Sequence, residues 1–100
     1  LFRRFIIFIS SIPIIRNNTF SDCQSLKQIK MPSFLESIED YAFFQCSTLK
    51  NVDIPSSLKY IGNYTFFGCS SLNQLTIPSS VTSLGKIVLI IVHHLKVFQF

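Results

Sequence analysis

The architecture follows from residues 43–62, FFQCSTLKNVDIPSSLKYIG, and from residues 66–85, FFGCSSLNQLTIPSSVTSLG. The second segment repeats the first 23 residues later, with the same paired phenylalanines, cysteine, leucine, Ile-Pro-Ser-Ser sequence and closing glycine. Self-similarity at a fixed period of roughly 20–50 residues is the signature of proteins built from stacked repeats. The chain is therefore predicted to fold as consecutive copies of one 23-residue unit.

The same period extends beyond these two segments. Cysteines recur at Cys23, Cys46 and Cys69, and prolines at Pro32, Pro55 and Pro78. Extending the register without gaps gives seven columns with 31 positions, of which 30 are apolar, although the 48% apolar composition alone would supply about 15. The columns assigned to the first strand of each unit are Leu26, Leu49, Leu72, Leu95; Ile6, Ile29, Val52, Leu75, Phe98; and Phe8, Met31, Ile54, Ile77, Phe100.

Each unit is predicted to contain two short extended segments. Apolar and polar residues alternate over residues 51–54, which indicates a half-buried strand, and Pro55 ends the strand because proline has no N–H to donate. Leu58 and Ile61 suit a second inward-facing segment. The column of Gly62 and Gly85 is a candidate for left-handed φ, although Glu39 and Arg16 occupy it in earlier units. Residues 64–69 are too few for a stable helix and are predicted to form one helical or 3₁₀ turn.

Stacking is the predicted source of stability, because a single 23-residue unit cannot close a core. We expect five short strands, starting near residues 3, 26, 49, 72 and 95, in one parallel sheet. The chain is predicted to be a single repeat array, mainly β in content, with units at residues 1–22, 23–45, 46–68, 69–91 and 92–100 and with degenerate or truncated terminal units.

The segments 43–62 and 66–85 resemble the BspA-like leucine-rich repeat, and the resemblance is close over residues 20–85. It implies a leucine-rich-repeat solenoid of the α/β horseshoe class with a parallel sheet on one face. It also implies a role in adhesion or protein binding at the surface of bacteria and protozoa, with host-cell or matrix proteins as candidate partners.

Composition argues against several other functions. The net charge of +4 comes from basic residues scattered along the chain, which does not favour nucleic-acid binding. The longest apolar run, residues 87–92, is too short for a membrane span of roughly 20 residues. No nucleophile elbow or phosphate-binding glycine loop occurs, and His93 and His94 have no neighbouring carboxylate or cysteine. We therefore expect no catalytic residues, no cofactor and no metal site.

The three cysteines are expected to be reduced and buried. Their spacing lacks the close ligand pairs of zinc sites, and one thiol per turn in an inward column behaves as a small apolar group. Neighbouring turns would hold the Cβ atoms near the strand spacing, which exceeds the roughly 3.8 Å that a disulfide prefers.

A partner is expected to bind the outward strand residues. These are Gln28, Lys30, Asn51, Asp53, Gln74 and Thr76. They are polar and mixed in charge, and we expect no aromatic or arginine cluster in the middle turns, so a solvated face is the simpler interpretation. Asn17 and Asn63 begin N-x-Thr sequons in one column and are candidate glycosylation sites, although asparagine is also favoured in turns for its own hydrogen bonding.

Three hypotheses about function remain open. The first is a cell-surface or secreted module for protein binding or adhesion. The second is an intracellular, cytoplasmic scaffold, which unpaired cysteines favour. The third is a truncated repeat remnant without independent activity, which would self-associate through uncapped ends. Residues 1–15 also fit two interpretations, because the start of the chain resembles a secretory signal and its apolar residues continue the repeat register.

Overall fold

In the computed structural model the backbone is described for residues 6–8, 12–86 and 96–99, and the side chains for residues 12–86. Short strands alternate with turns along this part of the chain. The strands are β1 (Ile6–Phe8), β2 (Ile14–Ile15), β3 (Gln28–Lys30), β4 (Ser37–Ile38), β5 (Asn51–Val52), β6 (Tyr60–Ile61), β7 (Gln74–Ile77), β8 (Ser83–Leu84) and β9 (Lys96–Gln99).

All strand pairs are parallel, and each joins one turn of the chain to the next. The first strands of the turns form the sheets β1-β3-β5 and β7-β9, and the second strands form the sheet β2-β4-β6-β8. This arrangement confirms the predicted solenoid of stacked parallel strands. The expected single five-stranded sheet is divided, however, because β5 and β7 do not pair.

The third side of each turn, which we call the turn side (residues 16–23, 39–46 and 62–69), contains no helix within the described residues. Where one helical or 3₁₀ turn was predicted, isolated hydrogen bonds from residue i+3 to residue i occur without a continuous helix. Hydrogen bonds from residue i+3 to residue i occur only at alternate positions, as in Thr19 N to Arg16 O and Ser21 N to Asn18 O. The intervening N–H groups donate to the adjacent turn instead, as in Phe20 N to Ala42 O at 2.8 Å. Positive φ values interrupt any continuous helix at two positions per turn: Asn18, Tyr41 and Tyr64, and Asp22, Gln45 and Gly68.

The core lies between these three sides and consists of columns of identical or similar side chains. Phe20, Phe43 and Phe66 stack with ring centroids 5.3 and 5.6 Å apart and nearly parallel planes. The cysteines three residues after them and the leucines six residues after them are also buried. Each aromatic ring removes roughly 150 Å² or more from water, so this column is the largest apolar contribution per turn.

The strand register is 23 residues in the middle of the chain and 22 residues at both ends. Gln28 pairs with Asn51, and Ser37 with Tyr60, but Ile7 rather than Ile6 pairs with Ile29. At the other end Leu75 pairs with Val97 rather than with Phe98. The gapless columns that placed Ile6 beside Ile29 and Phe98 beside Leu75 are therefore wrong by one residue.

Shorter connections explain this difference. Five residues separate β1 from β2, whereas six separate β3 from β4. Eleven residues separate β8 from β9, whereas twelve separate β4 from β5 and β6 from β7. A deletion of one residue in each connection changes the register without changing the order of the strands.

Glycine at the end of the second strand is required for close packing and not for left-handed φ. Gly62 does not have positive φ, and a Cβ built on it would lie 2.5 Å from Asp40 Oδ1 and 2.6 Å from Asp40 N. The left-handed glycine of this chain is Gly68, with φ of 80°. Glycine is therefore required in the predicted glycine column because the backbone there lies too close to the preceding turn for a Cβ atom.

Candidate protein-interaction surface

The outer face of the first-strand sheets carries the polar residues that the sequence predicted. Ile29, Val52 and Leu75 at the strand centres are buried, because alternate residues of a strand point to opposite faces. The predicted contact residues Gln28, Lys30 and Thr76 are half-buried, and Asn51, Asp53 and Gln74 are exposed. We name these six residues the strand face.

Charge contributes little to the order of the strand face, which has one exposed ion pair among the described residues. Lys30 Nζ lies 3.2 Å from Asp53 Oδ2, and the two side chains are 44% and 77% exposed. An ion pair at this exposure contributes about 0–1 kcal/mol. Lys50, which is exposed beside Asn51, has no ion-pair partner within the described part of the chain. The surface therefore combines hydrogen-bonding groups with one available positive charge.

An interstrand cleft of about 620 Å³ opens between β5 and β7. It brings together four of the six strand-face residues and leaves Gln28 and Lys30 outside its lining. The residues that line it are Lys50, Asn51, Val52, Asp53, Ile54, Asn73, Gln74 and Thr76. The sequence contains no signal for this cleft, because residues 49–54 and 72–77 have the same pattern of apolar and polar residues as the paired strands.

The two predicted glycosylation sites differ in their environments. Asn17 is exposed, and Thr19 of its sequon is half-buried with its hydroxyl donating to Arg16 O at 2.8 Å. Asn63 is half-buried, and its Oδ1 accepts a hydrogen bond from Lys86 N at 2.8 Å. Thr65 of the second sequon is fully buried and donates to Gly62 O at 2.7 Å. In the folded chain Asn17 is therefore the more accessible acceptor.

Four aromatic side chains form a second surface, which was not predicted from the sequence. Tyr41 stacks on Tyr64 with centroids 5.2 Å apart, and Phe44 stacks on Phe67 at 5.5 Å. Tyr41 is exposed and the other three rings are half-buried. The expectation of no aromatic cluster in the middle turns is therefore wrong for the turn side of the solenoid. The 23-residue spacing of both pairs was the signal that could have revealed it.

The cysteines form a buried column and are free. Cys46 Sγ donates to Phe20 O at 2.9 Å, and Cys69 Sγ donates to Phe43 O at 3.1 Å. Burial raises the pKa of all three thiols, for Cys69 to about 12. A protonated thiol is a poor nucleophile and a poor metal ligand, so these groups are suited to packing.

Two absences concern the described residues alone. Within residues 12–86 no three His, Cys, Asp or Glu side chains converge as a metal site would require. No helix that is long and apolar enough to cross a bilayer occurs in the described part of the chain. His93, His94 and the side chains of residues 1–11 lie outside the described residues.

Stacked turns of about 23 residues, each adding a strand to a parallel sheet over a continuous apolar core, define a solenoid repeat protein. Residues 3–100 match the family described as BspA type leucine rich repeat region, in six copies. The chain belongs to this leucine-rich repeat family, in agreement with the resemblance of residues 20–85.

A solved structure supports the same fold. The chain is similar to a leucine-rich repeat protein of T. pallidum, known from its crystal structure, with 32% sequence identity and a TM-score of 0.82. The similarity covers 84% of this chain and 40% of that one, so the chain spans less than half of the length of this relative. A search of curated proteins found no match to the sequence.

Proposed function

We propose that the chain is a non-enzymatic protein-interaction module that binds its partner through the strand face. The observation that carries this proposal is the interstrand cleft, which gathers four of the six strand-face residues on an exposed polar surface. The family and the stacked architecture support it, since solenoids present extended surfaces to protein partners.

The experiment compares two triple alanine variants on different sides of the solenoid. Lys30→Ala, Asp53→Ala and Thr76→Ala change one 23-residue column of the strand face. The matched control changes Glu36→Ala, Lys59→Ala and Thr82→Ala, a column of exposed residues beside the second strands. Both variants should unfold within about 1 kcal/mol of the parent chain, because exposed ion pairs and polar groups contribute little to stability.

Binding is measured by surface plasmon resonance to extracellular-matrix proteins, to host-cell membrane proteins and to immobilised copies of the chain. We expect the strand-face variant to lose at least tenfold in affinity and the control to bind like the parent chain. Equal binding by both variants would place the site elsewhere on the molecule. A folded parent chain that binds nothing would contradict the interaction proposal and favour the truncated-remnant alternative.

For location we propose the cell surface or the secreted fraction, with adhesion as the role. The resemblance to surface antigens and the exposed sequon at Asn17 support this choice. The three free cysteines favour the alternative of a cytoplasmic scaffold, since reduced thiols persist in reducing compartments. A tagged full-length protein that is accessible to antibody on intact cells supports the first location. Recovery only after lysis, without any mass shift at Asn17 or Asn63 on glycosidase treatment, supports the second.

A further inference from the structure

The interstrand cleft interrupts the hydrogen bonding between two turns on one side of the solenoid only. On the opposite side the same turns pair normally, with Tyr60 beside Ser83 and Ile61 beside Leu84. On the turn side Tyr64 N donates to Lys86 O at 2.9 Å. The two turns are therefore joined on two sides and separated between β5 and β7.

Backbone groups at this separation lack the partners that the preceding turn provides. Lys50 N and Asn51 N both donate to Lys27 O, at 2.9 and 3.3 Å. Within the described residues, no equivalent bond joins Asn73 or Gln74 to Lys50. Unpaired edges of this kind pair readily with another extended chain, because backbone N–H and C=O groups need hydrogen-bond partners.

β5 and β7 lie farther apart than paired strands do. Neighbouring strands in a sheet lie roughly 4.8 Å apart, whereas most Cα atoms of β5 lie more than 8 Å from those of β7. Buried Val52 and half-buried Ile54 supply the apolar part of the lining, and Lys50 supplies a positive charge without an ion-pair partner in the described chain.

We propose that the interstrand cleft binds an extended segment of a partner protein, which pairs with the exposed edge of β5 by strand addition. The segment has apolar side chains at alternate positions, facing Val52 and Ile54, and an acidic residue near Lys50. This inference rests on the proposed function and specifies the kind of partner and its mode of binding.

The probe is a phage-displayed library of seven-residue peptides with alternating apolar positions and one fixed glutamate, selected against the full chain. The strongest binder is synthesised and N-methylated at one amide at a time. A peptide paired along one edge should lose about fivefold or more in affinity when every second amide is methylated and little at the others. This readout needs no change in the protein and is independent of its folding.

Two protein variants locate the peptide. Lys50→Glu should weaken an acidic peptide about fivefold, and the control Lys59→Glu, an exposed lysine beside β6, should not. The proposal would be overturned if affinity fell at every methylated amide or at none. Equal effects of the two charge reversals, or a library without any enriched peptide, would overturn it as well. Concentration-dependent dimerisation that Lys50→Glu abolishes would identify a second copy of the chain as the occupant and would also overturn it.

The tests of the two proposals have distinguishable outcomes. The partner protein could bind the strand-face triple variant more weakly while the peptide scan shows no alternation. This result would support the interaction module and reject strand addition. If the strand-face variant binds the partner protein like the parent chain and the peptide scan also shows no alternation, both proposals are rejected.

Discussion

Left-handed backbone conformations recur at the same two positions of successive turns. The first position is occupied by Asn18, Tyr41 and Tyr64, and the second by Asp22, Gln45 and Gly68. A left-handed residue other than glycine costs roughly 1–2 kcal/mol, although asparagine and aspartate tolerate it best. The cost is offset because each reversal points alternate N–H groups at carbonyls of the next turn. At Tyr41 and Tyr64 the stacked rings add a further contribution.

Gly62 and Gly68 are required for different reasons, and substitution of each by alanine should distinguish these reasons. A Cβ on Gly62 would lie within 2.7 Å of backbone atoms of Glu39 and Asp40, which belong to the preceding turn. A Cβ on Gly68 would meet mainly the side chain of Gln45, which can move away, so the cost there is the positive φ. We expect Gly62→Ala to lower the free energy of unfolding by about 2–3 kcal/mol and Gly68→Ala by about 1 kcal/mol.

Urea denaturation followed by circular dichroism measures both losses. The double variant Gln45→Ala with Gly68→Ala is the control, because it keeps the strained φ and removes the side-chain clash. Its loss relative to Gln45→Ala should therefore stay near that of Gly68→Ala alone. A larger loss at Gly68 than at Gly62 would contradict this explanation of the two glycines.

At the scale of the element, the column of thiols makes stability depend on alkaline pH. Burial raises the pKa of Cys69 from 9.0 to about 12, and it raises the pKa values of Cys46 and Cys23 in the same direction. A folded-state pKa above the unfolded value means that the unfolded chain loses its protons first as the pH rises. The stabilisation is therefore complete below pH 9.0 and is lost as the pH rises towards about 12.

We expect the Cys69 thiol alone to make the chain about 2 kcal/mol less stable at pH 10.5 than at pH 8. The measurement is the urea midpoint at the two pH values under reducing conditions. Cys69→Val keeps an apolar side chain and removes the titrating group, so it should reduce this pH dependence. The raised pKa of Tyr60, caused by burial and then by the carboxylate of Asp40, remains in both proteins and cancels in the comparison. An unchanged pH dependence in Cys69→Val would rule out the thiol as its source.

Most of the strands could be predicted from the sequence because their signals are local. Alternating residues and the prolines at positions 32, 55 and 78 located the middle strands, and the inward columns matched the buried residues there. The turn side was less predictable. Its backbone conformation is determined by hydrogen bonds to the next turn, which form only when the turns stack. Residues 64–69 taken alone therefore suggested a helical turn.

The terminal register and the divided sheet could not be predicted for related reasons. A deletion of one residue in a connection is invisible where consecutive residues are apolar, as at Ile6 and Ile7 or at Val97 and Phe98, because two registers then fit almost equally well. The pairing of β7 with β9 and its separation from β5 depend on how whole turns pack. Four of the six candidate binding residues line the cleft, but their sequence pattern does not reveal that the cleft exists.

At the scale of the whole molecule, each turn is stabilised only by the turns on either side of it. The buried columns and the inter-turn hydrogen bonds join residues 20–26 positions apart. The stability of such an array is approximately a sum of terms for each turn and each interface. Exposure at the outer described turns agrees with this description, since Ile12 and Leu84 are exposed while their column mates Leu35 and Ile61 are buried.

Adding one complete turn should therefore stabilise the chain, whereas adding half a turn should not. A tandem copy of residues 46–68, inserted after Gly68, continues every apolar column and adds one buried interface. We expect a single unfolding transition with a higher urea midpoint and a slope about a quarter steeper, because the slope follows the surface exposed on unfolding and the chain gains 23 residues. The control insertion copies residues 46–57 only, which displaces the phenylalanine and leucine columns by half a period and should lower the midpoint. Equal midpoints for the two insertions would mean that stacking in register is not what stabilises the array.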